Sequence, residues 1–245
     1  TESVIYYKVL RMFGIGESML ETKLLDIIDN QTDPTIATYA KEGECSVRIA
    51  SKRSTLEEAK AAVTEIIAKV KERVGEYIYS YDDKDLHQVV AKKLMERNIS
   101  ISSAESCTGG LFAQTLTEIP GISAVFDRAL VTYSNRSKVE ELGVNPDTLE
   151  RYGAVSKNTA MEMAQGLKKV SGSRLCISVT GIAGPGGGTA DKPVGLVYIC
   201  AILDDKTVCK KSILRNVNRN WNRNYAMLSM FDVINRLLDE KEQLG

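Results

Sequence analysis

Hydrophobic and polar positions fall into two regimes along the chain. Over residues 1–82 they trace a small α+β unit. Val4 to Phe13 is extended and apolar, and Gly14-Ile15-Gly16 makes a turn. Leu20, Leu24, Leu25 and Ile28 then recur at helical spacing across Glu17 to Ile28. Thr35 to Tyr39 and Cys45 to Ala50 read as a strand pair, the second alternating Cys45, Val47 and Ile49 against Ser46 and Arg48. Ser54-Thr55-Leu56-Glu57 has the form of a capping box and opens a long helix toward Val74. Gly75 ends that helix, and residues 77–83 read as a connector.

From residue 83 helices and strands alternate, the signature of an α/β layer fold. Helices are predicted over 84–97, 108–118, 136–142, 156–170 and 219–239, with another started by Asn145 as cap and Pro146 at its first position. Strands are predicted at Ile99 to Ser103, Ala124 to Tyr133 and Leu175 to Val179. A hairpin of Val194 to Leu203 and Thr207 to Leu214 turns around Asp204-Asp205. The fold class is therefore α/β, with domains at 1–82 and 83–245.

Composition narrows the function classes. Hydrophobic residues at 43% and charged residues at 26% are those of a soluble globular chain. Lys plus Arg equals Asp plus Glu at 32 each, so no general attraction to nucleic acid or anionic membrane is expected. No apolar run approaches the roughly 18 residues of a membrane span. The chain opens on Thr1 without a signal-peptide pattern, and a piece of a longer protein is the expectation. Five scattered cysteines (Cys45, Cys107, Cys176, Cys200, Cys209) include no Cys-x-x-Cys pair. That spacing predicts neither a disulfide scaffold nor a zinc site, and points to a reducing cytoplasm. The single histidine, His87, sits on a helix whose apolar stripe is Leu86, Val89, Val90 and Leu94, which gives it a surface or structural role. Sites needing several imidazoles are excluded within one chain, and a serine nucleophile here is expected to use another base.

Three clusters carry possible chemistry. Ser106, in Ala104-Glu105-Ser106-Cys107-Thr108-Gly109-Gly110, falls where a strand gives way to a helix. The small residues after it permit a tight turn, and unpaired amides at the helix start can hold an oxyanion or a phosphate. A plain cap-and-turn reads equally well, and Cys107 is a rival nucleophile without a histidine partner. The second cluster is Thr132-Tyr133-Ser134-Asn135-Arg136-Ser137-Lys138, at another strand end. With Asn135 as helix cap, Lys138 lies in the first turn, where the helix end and partial burial lower its pKa. A neutral lysine serves as base for a serine, with Tyr133 able to relay the proton; a solvated lysine and a core tyrosine are the alternative. The third is Val179-Thr180-Gly181-Ile182-Ala183-Gly184-Pro185-Gly186-Gly187-Gly188-Thr189, whose amides can wrap an anion. It is neither a P-loop nor a dinucleotide fingerprint, and a mobile surface loop is its plainer reading. Arg219 and Arg223, four apart at a helix start, can reach one phosphate or carboxylate, or simply face solvent.

Together and in this order these clusters resemble the CinA family, specifically its C-terminal nicotinamide mononucleotide (NMN) deamidase domain. Gly143-Val144, Tyr152-Gly153-Ala154-Val155-Ser156 and Gly195-Leu196-Val197-Tyr198 add to the match, which covers about residues 84–240. Phe13-Gly14-Ile15-Gly16-Glu17-Ser18 and Thr35 to Gly43 resemble the KH-like middle domain of that family. The resemblance implies a three-layer α/β/α deamidase domain behind a small KH-like domain. It also implies that the family's N-terminal molybdopterin-binding-like domain is missing, so no pyrophosphatase activity is expected. The implied reaction is hydrolysis of the NMN carboxamide to nicotinate mononucleotide and ammonia, in pyridine nucleotide salvage, without metal or cofactor.

Carried over residue by residue, Ser106 is the nucleophile, activated by Tyr133 and Lys138. Thr180, Gly181 and the amides of Thr108, Gly109 and Gly110 hold the reacting group. Ser123, Asn135, Gly184, Gly186 and Gly187 line the nucleotide pocket, and Arg219 and Arg223 match the family's paired arginines. Arg215-Asn216-Val217-Asn218 departs from the expected Gly-Asp-Arg lead-in, which weakens phosphate binding there. The resemblance further implies a homodimer. A non-catalytic nucleotide-binding or scaffold module of a larger CinA protein is the rival reading. RNA binding by residues 1–82 is disfavoured, because Gly14-Ile15-Gly16-Glu17 is a short, acidic stand-in for a basic Gly-x-x-Gly clamp.

Overall fold

A computed structural model describes residues 3–215 and 217–242, with side chains to residue 240. Its contacts divide the chain into two units, 1–89 and 90–245, the division falling inside a helix.

The first unit is one antiparallel sheet with two helices. Strands β1 (Val4–Phe13), β2 (Thr35–Lys41), β3 (Glu44–Arg53) and β4 (Ile78–Ser80) lie in the order β2-β3-β1-β4. Helices α1 (Glu17–Asp29) and α2 (Leu56–Val74) bury Leu20, Leu24, Val63 and Val70 with Leu10, Met12, Val47 and Ile49 of the sheet. Two local expectations shift. The capping box is Thr55 with Glu58, one residue later than the sequence pattern suggested. The supposed connector forms β4, which pairs with Arg11 and Met12 of β1. Arg11 then binds Asp83 and Asp85, fixing the chain beyond that strand.

The second unit carries a mixed five-stranded sheet, with α3 (Leu86–Glu96) leading into it. Strands β5 (Ile101–Glu105), β6 (Phe126–Val131), β7 (Leu175–Gly181), β8 (Leu196–Leu203) and β9 (Lys206–Ile213) run in the order β6-β5-β7-β8-β9. The first three of that order are parallel and the last two antiparallel. β7 is buried from Leu175 to Thr180, inner and outer positions alike, which requires cover on both faces. Helices α5 (Asn135–Leu142), α6 (Pro146–Tyr152) and α7 (Lys157–Ser171) supply one layer, packing Leu142, Met163 and Leu167 on Ala104 and Cys176. Helices α4 (Leu111–Thr117) and α8 (Arg219–Glu242) supply the other, meeting through Phe112 and Phe231 at 4.4 Å. The three-layer α/β/α architecture thus follows from strands too apolar to leave either face wet.

One cysteine expectation is overturned. Cys200 and Cys209 stand directly opposite each other on β8 and β9 and are joined as a disulfide. Sequence spacing hides the pair because the tight hairpin, not a Cys-x-x-Cys motif, brings them together. Cys45, Cys107 and Cys176 are free and buried. No helix of the described residues is long and apolar enough to cross a membrane, and none of their His, Cys, Asp and Glu side chains gather in threes to hold a metal ion.

Candidate active site

Ser106 follows β5 directly, and its amide bonds Val179 O of the neighbouring strand. Thr132, just past β6, donates its amide to Glu105 O. Parallel pairing therefore sets the ends of β5 and β6 side by side. Ser134 caps α5 by accepting from the Ser137 amide, so the cap is Ser134 rather than Asn135, which is exposed at the first helical position. The first turn of α5 sends Lys138 back over the strand ends, where it is 1% exposed.

Lys138 Nζ lies 3.1 Å from Ser106 Oγ, 2.7 Å from Thr132 O and 3.3 Å from Tyr133 O. Burial pushes its pKa down to about 8. A neutral amine has two N–H bonds and one lone pair. The two carbonyls absorb both donors, which leaves the lone pair for the Ser106 hydroxyl. Once protonated, the ammonium finds three acceptors in place. Cys107, the rival nucleophile, is buried and its thiol is pushed up to about 12, so it is not a thiolate near neutrality.

Tyr133 enters this arrangement differently from the sequence expectation. Its carbonyl accepts from Lys138, while its exposed phenol oxygen accepts from Arg219 Nη2 at 2.9 Å. The phenol thus meets Arg219 and not Ser106, and it is the Tyr133 main chain that orients the lysine. Arg219 also donates to Gly184 O at 2.6 Å, linking the glycine-rich loop to Tyr133. Arg223 donates to Cys107 O at 3.3 Å and Thr108 O at 2.8 Å. It braces the serine turn, whereas Arg219 serves the glycine-rich loop and Tyr133. Asn216, in the departing lead-in before them, lies outside the described residues.

Other expectations sort by the edge of the sheet they occupy. Thr180 is buried at the end of β7 and donates its hydroxyl to Ala154 O at 2.8 Å, tying the strand to the 152–156 loop. Gly181 is needed for packing, since a Cβ there would lie 2.8 Å from Val197 and 3.2 Å from the Cys107 sulfur. Gly184 has φ +82, and a Cβ would sit 2.5 Å from Val194. Gly186 and Gly187 form the exposed tip of the loop. Ser123 is exposed in the turn before β6, at the opposite end of the parallel strands. Six strand residues put it roughly 17 Å from the serine edge, so within one chain it does not line this site.

Of the three amides expected to hold an anion ahead of α4, those of Gly109 and Gly110 are occupied from within, by Ser106 O and by Glu105, and that of Thr108 is not. Glu105, fully buried, accepts from Thr108 Oγ1 at 2.6 Å and from the amides of Gly110, Phe112 and Ala113 at 3.0, 3.1 and 3.0 Å. The sequence reading passed over this residue. Its signal was an acidic side chain just ahead of a helix start, where carboxylates are favoured.

A serine held by a buried lysine, at the C-terminal strand ends of a three-layer sheet, defines an α/β protein with a Ser–Lys site. The chain belongs to the CinA family. The CinA C-terminal domain matches residues 83–238, and the KH domain of damage-inducible protein CinA matches residues 7–80. A relative from Acetivibrio thermocellus, named for competence-damage induction, is 49% identical over 232 residues. A CinA-like protein of Kosmotoga olearia is 45% identical over 235. These alignments take in 95% and 96% of this chain but only 56% and 57% of the relatives, so the chain spans little more than half their length. Among solved structures, the competence/damage inducible protein CihA of Agrobacterium tumefaciens superposes with a TM-score of 0.60 at 38% identity, over 66% of this chain and 99% of its own. A CinA superfamily protein of Klebsiella pneumoniae gives 0.61 at 27%, over 64% and 99%.

Proposed function

We propose that this chain hydrolyses the carboxamide of NMN to nicotinate mononucleotide and ammonia, with residues 83–245 as the catalytic domain and 1–82 as a KH-like scaffold. The observation that carries the reading is the Lys138–Ser106 contact, with both lysine donors directed to carbonyls. In the first half-reaction Ser106 Oγ attacks the carboxamide carbon as its proton passes to Lys138 Nζ. The tetrahedral oxyanion collapses, the C–N bond breaks, and the ammonium of Lys138 returns the proton to the departing ammonia. Water then attacks the acyl ester, Lys138 taking its proton and handing it to Ser106 Oγ as the C–O bond to serine breaks. Arg219, at the mouth between the glycine-rich loop and Tyr133, is the side chain best placed to meet the nucleotide phosphate. A homodimer and a cytoplasmic setting belong to the same reading.

The test is ammonia release from NMN by the purified chain beside Ser106→Ala. Release by the wild type and loss of at least a thousandfold in the variant is the expected result. Equal rates would remove Ser106 from the chemistry. Binding of NMN without any release would favour the non-catalytic module.

A further inference from the structure

Glu105 takes no part in the proton transfers above, yet it is fully buried and stands directly before Ser106. A buried carboxylate is costly unless its oxygens are paired. Here one oxygen accepts from Thr108 Oγ1, Gly110 N and Phe112 N, and the other from Ala113 N. The backbone donors around the serine can be followed one by one, since a buried N–H needs an acceptor. Those of Ser106, Gly109, Leu111 and Gln114 bond to main-chain carbonyls, and Glu105 takes the next three. Among the described residues, the Cys107 and Thr108 amides are the ones in this stretch that bond neither to a main-chain carbonyl nor to Glu105, the Cys107 amide having only its own thiol beside it. Both follow the serine directly, in a turn where Cys107 and Thr108 are buried.

We propose that Glu105 is a positioning residue of the serine site. It gathers Thr108 and three amides onto one carboxylate, and so fixes the 106–109 turn with the Cys107 and Thr108 amides reserved for the developing oxyanion. The inference rests on the hydrolase reading. A carboxylate is required because all four partners donate. Glutamine keeps one acceptor oxygen but turns an NH₂ toward one of those donors, and alanine leaves all of them competing for whatever oxygen enters the site.

The experiment compares wild type, Glu105→Gln, Glu105→Ala and Ser106→Ala by three measurements. These are kcat and KM for NMN, the thermal midpoint, and the rate at which an alkyl fluorophosphonate labels Ser106, followed by intact mass. In labelling, the Ser106 Oγ–P bond forms, P–F breaks, the hydroxyl proton goes to Lys138 and fluoride leaves, so it needs the same oxyanion support without needing NMN. We expect Glu105→Ala to lower kcat about a hundredfold with KM within about threefold, Glu105→Gln to fall between it and wild type, and labelling to slow in the same order. A Glu105→Ala protein that folds, with kcat and labelling within about threefold of wild type, overturns the proposal. If alanine does not fold, a folded Glu105→Gln at full rate overturns it equally. Slow labelling of Glu105→Gln in a protein that never releases ammonia sinks the NMN reading and leaves this one standing. A wild type that neither labels nor turns over sinks both.

Discussion

Lys138 Nζ and Ser106 Oγ lie 3.1 Å apart across 32 positions of sequence. Three local facts produce that distance. β5 and β6 are parallel neighbours, the Thr132 amide binds Glu105 O, and the Ser134 cap begins α5 at once, which leaves Lys138 one turn in. Burial then does to the lysine what an acidic partner does to a catalytic histidine by other means: it sets which protonation state is available.

The pH–rate profile follows from that burial. Lys138 acts as base only when neutral, and desolvation holds its pKa at about 8 instead of 10.5. Activity should therefore rise with pH through about 8 and level off above it, with about a tenth of sites competent at pH 7. Measuring kcat/KM for NMN from pH 6.5 to 9.5 checks this. A profile that falls across this range would mean that the charged amine is the working form.

Stability should carry the same signature. The folded chain releases the Lys138 proton near pH 8 and the unfolded chain near 10.5. Between those values the unfolded state binds more protons, so stability rises with pH there. Relative to Lys138→Met, which does not titrate, wild type should gain about 2 kcal/mol between pH 7 and pH 10. Urea unfolding of both proteins at the two pH values reads the difference. A constant gap would place the lysine in water.

Tyr133→Phe separates a phenol relay from a carbonyl contact. The variant keeps the main-chain acceptor of Lys138 and loses only the oxygen that Arg219 touches. We expect kcat within about threefold of wild type and a rise confined to KM. A fall in kcat of a hundredfold would restore the phenol to the proton path.

The two arginines should fail in different ways. Arg223→Met strips two carbonyls of the serine turn of their donor, which should lower stability by about 1–3 kcal/mol and lower kcat. Arg219→Ala, at an exposed position, should leave the thermal midpoint nearly unchanged and raise KM. Matching effects from both substitutions would return them to a single anion clamp.

Thiol counting tests the cross-strand pair. Unfolded without reductant, the protein should present three reactive thiols, from Cys45, Cys107 and Cys176, and all five after reduction. Five thiols before reduction would show Cys200 and Cys209 unjoined.

Much of this protein is legible one residue at a time. The 3.6 and 2.0 periods, the Pro146 start and the Ser156 cap are properties of short stretches, because helices are closed by local bonds and both helices and strands bury a locally repeating stripe. The lone histidine likewise implies, from composition, that a serine nucleophile needs another base. What lay outside the reach of local pattern were contacts between strand ends: Lys138 on Ser106, Tyr133 turning its carbonyl inward and its phenol out, Glu105 occupying the Gly110 amide that seemed open to a ligand, Ser123 at the far end of the strands, and Cys200 facing Cys209. Each depends on register and on which face a side chain takes, and a sheet sets these by pairing segments distant in sequence. The sequence alone therefore determined the elements, the family and the residue types at the site. Tertiary pairing decided which atoms of those residues meet, because burial and hydrogen-bond partners exist only after the strands have chosen their neighbours.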